Sequence, residues 1–134
     1  MKNRFIASIF AGVILFGVGC NTSVVRSSPP VAGQVSSDGS RVVANLEGDN
    51  WGIFLFYYIP LWSGEPNHPN ERDYATFQNK IKNKYTIEML KKRAKQLKAE
   101  VQDVQISDSS TGFFSLWILW RRSQSATAVA VKRK

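Results

Sequence analysis

The stretch Trp51-Gly52-Ile53-Phe54-Leu55-Phe56-Tyr57-Tyr58-Ile59 (WGIFLFYYI) decides the fold. It is rich in aromatic and β-branched residues and stops at Pro60, which is strand behaviour. Both faces of such a strand are apolar: Ile53, Leu55 and Tyr57 on one, Phe54, Phe56 and Tyr58 on the other. Phe113–Trp120 repeats the pattern, with Phe114, Leu116, Ile118 and Trp120 opposed to Phe113, Trp117 and Leu119. A strand apolar on both sides belongs in the middle of a covered sheet.

Outward from this strand, Pro60 to Glu71 holds three prolines, one glycine and two asparagines and is expected to be a loop. Tyr74–Tyr85 reads two ways: Tyr74, Phe77, Ile81 and Tyr85 suit helical spacing, whereas Ala75, Phe77 and Ile81 also suit a short strand. Thr86 is expected to be an N-cap, with Glu88 in the first turn. Ile87, Leu90, Ala94, Leu97 and Val101 then fall on one helical face, and Lys91, Lys92, Arg93, Lys95 and Lys98 mainly on the others. Three strand-like runs follow, Val101–Ser107, Phe113–Arg121 and Ser125–Lys132. Asp108-Ser109-Ser110-Thr111-Gly112 is expected as a hairpin loop and Arg122–Gln124 as a second turn.

The sum is an α+β domain over residues 51–134: a small, mainly antiparallel β-sheet with one main amphipathic helix packed on it. The passage from Trp51 to Ser107 leaves room for one parallel pairing, which would be right-handed. One helix does not easily cover both faces of an aromatic sheet. The remaining cover has four candidate sources: Tyr74–Tyr85, the chain before Trp51, a second copy in a homo-oligomer, or a partner. Residues 21–50 are dominated by Ser, Gly, Pro and small side chains, including Ser27-Ser28-Pro29-Pro30 and Ser36-Ser37-Asp38-Gly39-Ser40. Residues 20–50 are therefore expected to form a lipidated N-terminus and flexible tether, with an r.m.s. span of about 30 Å. Within it, Arg41-Val42-Val43-Ala44 is a candidate short strand.

The first residues divide into a positive segment (Lys2, Arg4), an apolar run from Phe5 to Phe16, and Gly17-Val18-Gly19 leading into Cys20. The run is shorter than the roughly 20 apolar residues needed to cross a bilayer as a helix, as in a signal-peptide core. Val18, Gly19 and Cys20 resemble the lipobox of bacterial lipoproteins cut by signal peptidase II, although Gly17 stands where Leu is usual. The resemblance implies that residues 1–19 are a signal peptide and that the Cys20 thiol carries a diacylglyceryl group. It also implies a new N-terminus that is often acylated with palmitate. Two or three chains, at about 0.8 kcal/mol per buried methylene, make such an anchor effectively permanent. The expected address is the cell membrane or outer membrane, on the exported side. In enteric-type bacteria Asp after the lipidated Cys signals inner-membrane retention, so Asn21 favours the outer membrane.

Cys20 is the single cysteine of the 134-residue chain, and its use for lipid leaves no thiol for a disulfide or a paired-cysteine zinc site. No cofactor beyond this covalent lipid is implied. A formal charge of +8, or +6 once Lys2 and Arg4 are removed with the signal, suits anionic partners such as lipid head groups or acidic glycans. An exported location argues against nucleic acid.

Four groups of residues carry chemistry. The lysine-rich helix, through Lys91, Lys95 and Lys98, suits an anionic surface, but its apolar stripe is aliphatic, as in a core-packing helix. The tryptophans Trp62, Trp117 and Trp120 are candidate edges of a binding surface. Glu65, His68 and Glu71 have acid–base and metal chemistry in principle, on a spacing that matches no metal motif. Asp103, Asp108, Ser109 and Ser110 are accounted for by turn chemistry.

The region from Trp51 to Val131 also resembles a loose set of small envelope lipoproteins in which a WGxxLF-type strand leads to IPLxxG, a helix and three strand-like segments. The carriers here are Trp51-Gly52, Leu55-Phe56, Ile59-Pro60-Leu61, Gly64, Ala94 and Ile118-Leu119-Trp120. That resemblance implies no catalytic residue. The expected function is that of a noncatalytic envelope module binding a protein or envelope polymer. An envelope hydrolase using Glu65, His68 or Glu71 and a purely structural tethered domain are the competing classes.

Overall fold

A computed structural model of the chain describes residues 22–113 and 118–132. Cys20, the signal segment and Trp117 lie outside the described residues. The architecture follows from one long strand, β2 (Val42–Leu55), whose whole length pairs antiparallel with β6 (Leu119–Val131). The opposite edge of β2 is divided. Residues 45–50 pair with β1 (Ser23–Ser28), and residues 52–55 pair with β3 (Ile59–Gly64). β4 (Tyr74–Thr76) extends the sheet beyond β3, and β5 (Glu100–Phe113) closes the far side against β6. The order is β4-β3-β2-β6-β5, with β1 on β2 outside that path. The described residues thus form an α+β domain: a six-stranded antiparallel sheet with one helix, α1 (Asn83–Gln96), packed on it. The parallel pairing that the sequence left room for is not made, because each of these strands meets its neighbour antiparallel.

The helix packs where the sheet is made of small side chains. Ala44 and Leu46 of β2 and Ala126, Ala128 and Ala130 of β6 form the core with Leu90 and Ala94 of α1. Gly48 belongs to the same face: a Cβ there would come within 3.1 Å of Leu90 Cδ2. Alternation along β6 puts alanine at every second position, so the helix axis settles close to the backbone. Leu46, Met89, Leu90 and Val131 are among the largest fully buried side chains.

Four sequence expectations are corrected. First, the described part of the expected tether, residues 22–50, is not flexible linker and the folded body does not begin at Trp51: β1 and the first half of β2 lie inside that span, with Val25, Val42, Ala44 and Leu46 buried. The Ser-, Gly- and Pro-rich composition is used for turns that supply their own partners. Asp38 Oδ1 accepts hydrogen bonds from Ser36 Oγ (2.5 Å) and the Ser40 N–H (2.9 Å), and Oδ2 accepts one from Gln102 Nε2 (2.7 Å). These donors, Ser36 first, hold the Asp38 carboxyl well below its ordinary value of 3.8. Its contribution to stability is therefore fully present above that value and is lost as pH falls below it.

Second, Pro60 does not end the sheet. It lies within β3 opposite Phe54, beyond the β4 ladder, which begins at Trp62, so its missing N–H is tolerated. Tyr74–Tyr85 is neither wholly helix nor wholly strand: it supplies β4, an irregular stretch and the first residues of α1. Third, Asp108–Gly112 is not a loop and Arg122–Gln124 is not a turn. Both lie inside the β5–β6 ladder, where Ser109 pairs with Ser123, Ser110 with Arg122 and Thr111 with Arg121. Turn-prone polar residues are admissible there because β5 is an exposed edge strand.

Fourth, Thr86 is not the N-cap. The helix starts a turn earlier, at Asn83, with Lys82 in the cap position, and Thr86 is buried with its hydroxyl donating to Gln124 Oε1 (2.8 Å). Gln124 Nε2 in turn donates to Asn83 Oδ1 (2.5 Å) and Asp108 Oδ1 (2.6 Å), which ties the helix N-terminus to β6 and β5. At the other end the Lys98 N–H reaches Lys95 O (3.0 Å) and the Ala99 N–H reaches Ala94 O (3.0 Å), with Lys98 at φ 54°. That is the Schellman pattern with a lysine where glycine is usual.

The meeting of β1 and β3 on one edge of β2 explains Gly64. A Cβ at Gly64 would strike Ser23 Oγ, Asn50 Oδ1 and, at 2.6 Å, Thr22 O. Gly64→Ala is therefore expected to lower the unfolding free energy by about 1–3 kcal/mol through overpacking, read from the midpoint of urea unfolding.

Candidate functional site

The end of the sheet where β2 turns into β3 departs most from local preference. Phe56 (φ 50°) and Tyr57 (φ 72°) are both left-handed, and the Tyr58 N–H returns to Leu55 O at 3.2 Å. Two consecutive positive φ values are the requirement of a type I′ hairpin turn, which favours Asn-Gly. Aromatic residues in that conformation cost of order 1–3 kcal/mol each and persist only where the surroundings hold them.

The surroundings are specific. The Phe56 N–H donates to Ile118 O (2.6 Å), joining this turn to the β5–β6 end of the sheet. Tyr57 stands edge-on to Tyr58 (5.2 Å between centroids) and to Trp120 (5.3 Å). The Arg122 guanidinium lies 4.9 Å from the Tyr57 ring centre and 4.8 Å from that of Phe54. On the other face, Arg121 lies 4.7 Å from the Trp51 ring centre. With Tyr57 held, its neighbours are left outward: Phe56 is 57 %, Tyr58 79 % and Ile59 50 % exposed.

A basic collar adjoins this aromatic end. Tyr57, Ile81, Lys82, Lys84, Asp108 and Arg122 line one open cleft beside it. Lys80 and Lys84 approach the Tyr85 ring at 5.2 and 4.6 Å. A positive charge over an aromatic face gains about 0.5–1 kcal/mol at exposed sites, so the arginines and lysines also stiffen the rings.

The residues singled out from sequence are not gathered into one surface. Trp62 pairs with Ile53 and Trp120 with Phe54, so these two tryptophans project from opposite faces. Trp117 lies outside the described residues. Lys91, Lys95 and Lys98 are exposed, but their helix runs away from the aromatic end: Asn83 is tied to Gln124 beside it, whereas Arg93 reaches Ser27 Oγ (3.0 Å) near the far end of β1.

Glu65, His68 and Glu71 sit on successive turns. Glu65 Oε1 accepts from the Asn67 N–H (3.2 Å) and Nδ2 (2.8 Å), and the imidazole Nδ1 of His68 pairs with Asp73 Oδ2 at 2.9 Å. Asp103 and Asp108 are separated as well: Asp103 accepts from the Ser37 N–H (2.8 Å) and hydroxyl, Asp108 from Gln124. Among the described residues, no three His, Cys, Asp or Glu side chains converge on a metal position, and no helix is long and apolar enough to cross a membrane.

Comparison with known protein families, curated proteins and solved structures finds no match to this chain. The site therefore rests on its own geometry. Sequence reasoning missed Arg121, Arg122, Lys80, Lys82 and Lys84, whose role depends on the sheet register. The one available signal was an FYY run with no glycine or asparagine at a strand reversal. Phe56→Asn relieves an outward aromatic held in the left-handed region and is expected to raise stability by about 1 kcal/mol in urea unfolding.

Proposed function

We propose that the chain is an exported envelope lipoprotein, anchored through lipid on Cys20, whose α+β domain is a noncatalytic module that engages another envelope component through its aromatic end. One observation supports this most directly: Phe56, Tyr58 and Ile59 are held outward on a hairpin whose backbone is strained to present them. Local strain of this kind accumulates where a surface is kept for use rather than for stability. Arg121, Arg122, Lys82 and Lys84 add a positive field that favours an acidic surface or polymer.

An envelope hydrolase is the second reading, favoured by the His68–Asp73 pair, since an imidazole oriented by a carboxylate is a ready general base. That pair is 57 % and 48 % exposed on a loop and lies apart from the strained end. His68→Ala is expected to leave the cellular phenotype intact under the binding-module reading, and loss of phenotype with an intact fold would favour the hydrolase. The anchor has its own test. Cells fed radioactive palmitate are expected to label the wild-type chain and not Cys20→Ser, and label retained by the variant rejects the lipoprotein assignment.

A further inference from the structure

We propose that the aromatic end of the sheet is a second point of attachment to the same membrane that holds Cys20, inserting Phe56, Tyr58 and Ile59 at its anionic surface. The inference rests on the lipoprotein reading and names the partner of the surface described above. It is carried by where the chain enters the fold. Thr22, directly before β1, is already bound to the sheet: its carbonyl accepts the Trp51 N–H (2.9 Å), and Ser23 pairs with Asn50. Cys20 lies two residues earlier, so its Cα is at most about 7 Å from that of Thr22. No 30 Å leash intervenes.

Direction matters as much as distance. β1 runs antiparallel to β2, so the incoming chain enters at Asn50–Trp51, facing the half of β2 that ends at Leu55. Four residues of strand, about 13 Å, separate Trp51 from Leu55. With the sheet upright on the membrane and Cys20 at its surface, the turn would pass that surface by at least about 6 Å, a depth at which interfacial apolar groups are buried. The loop carrying Val35, by contrast, joins the opposite ends of β1 and β2 and faces away.

Chemistry agrees with geometry. The inserted residues would be a Phe, a Tyr and an Ile, with Tyr57 and Trp120 behind them, and aromatic residues with one wet edge favour the interface. Arg121, Arg122, Lys82 and Lys84 stand behind this tip at head-group level, where each basic residue near an anionic surface gains about 1 kcal/mol. Asp108 is the acidic group in the same cleft, and Gln124 Nε2 donates to it at 2.6 Å.

The experiment uses the full chain reconstituted in vesicles of three parts phosphatidylethanolamine to one part phosphatidylglycerol. Tyr58→Cys, or Val35→Cys at the opposite end, is labelled with an environment-sensitive nitrobenzoxadiazole dye, and Cys20 lipidation is verified on the same sample by mass spectrometry. The expected result is a blue-shifted dye at position 58, quenched several-fold more by nitroxide-bearing lipid than the dye at position 35. Weaker quenching in purely zwitterionic vesicles is also expected. Lipidated protein whose position 58 is as wet and as unquenched as position 35 would overturn the inference while sparing the lipoprotein reading. Absence of lipid on Cys20 would reject the lipoprotein reading instead. A dye at position 58 that is blue-shifted but unreached by nitroxide lipid would place a protein surface there, and that outcome too overturns the proposal. Phe56→Asp is expected to reduce quenching at position 58 with the urea midpoint retained, and unchanged quenching counts against insertion.

Discussion

Everything in this fold hangs on how one edge of β2 is shared. The strand is long enough for two partners end to end, and Asn50 sits at the seam with none of its surface exposed. Its side-chain oxygen accepts the Ser23 hydroxyl (2.9 Å), its amide donates to Lys80 O (2.8 Å), and the next N–H, that of Trp51, goes to Thr22. Nearby, Ser63 Oγ donates to Gln78 O (2.8 Å) and accepts the Lys80 N–H (3.1 Å). A buried polar seam is costly unless every member is paired. Here the pairing brings β1, β2, β3 and the segment leading into the helix to one place. Asn70 reinforces it by bonding both the N–H and the carbonyl of Val25, standing in for a neighbouring strand.

Much of the fold class was legible because hydrophobic periodicity is local. The helix, its buried Leu90 and Ala94, and the strand through Ile53 and Phe54 all follow from spacing. What failed was long-range by nature. Ser23–Ser28 looks like linker until its partner on β2 is known, since Ser27 and Arg26 carry little strand preference of their own. Asp108–Gly112 carries a turn's composition, yet its backbone is satisfied by β6. Thr86 has a cap's chemistry, and a buried Gln124 diverts its hydroxyl. In each case a tertiary hydrogen bond outweighed a local propensity worth about 1 kcal/mol or less.

The candidate site was legible only in part. An excess of aromatic residues announced a surface of interest, but Trp62 and Trp120 turned out to face apart, and the helix lysines lie towards the far end. The basic residues packed on the aromatic end, Arg121 and Arg122, were hidden in a segment read as the end of one strand and a turn. Only the β2–β6 register, which sets Arg122 opposite Gly52, brings its guanidinium over the Phe54 and Tyr57 rings.

The two strands that end the sheet order have a consequence for contact between copies of the chain. An open sheet edge is a template for another chain. β4, at one edge, is only three residues long. β5, at the other, is fourteen residues long, but its register breaks between Gln102 and Gln105, where Asp103 takes a positive φ and turns to Ser37. That kink, and the exposed Ser and Asp side chains after it, spoil β5 as a docking strand. The break at Gln102–Gln105, inside a run whose strand character its sequence shows, thus makes β5 a poor edge for a second copy to extend.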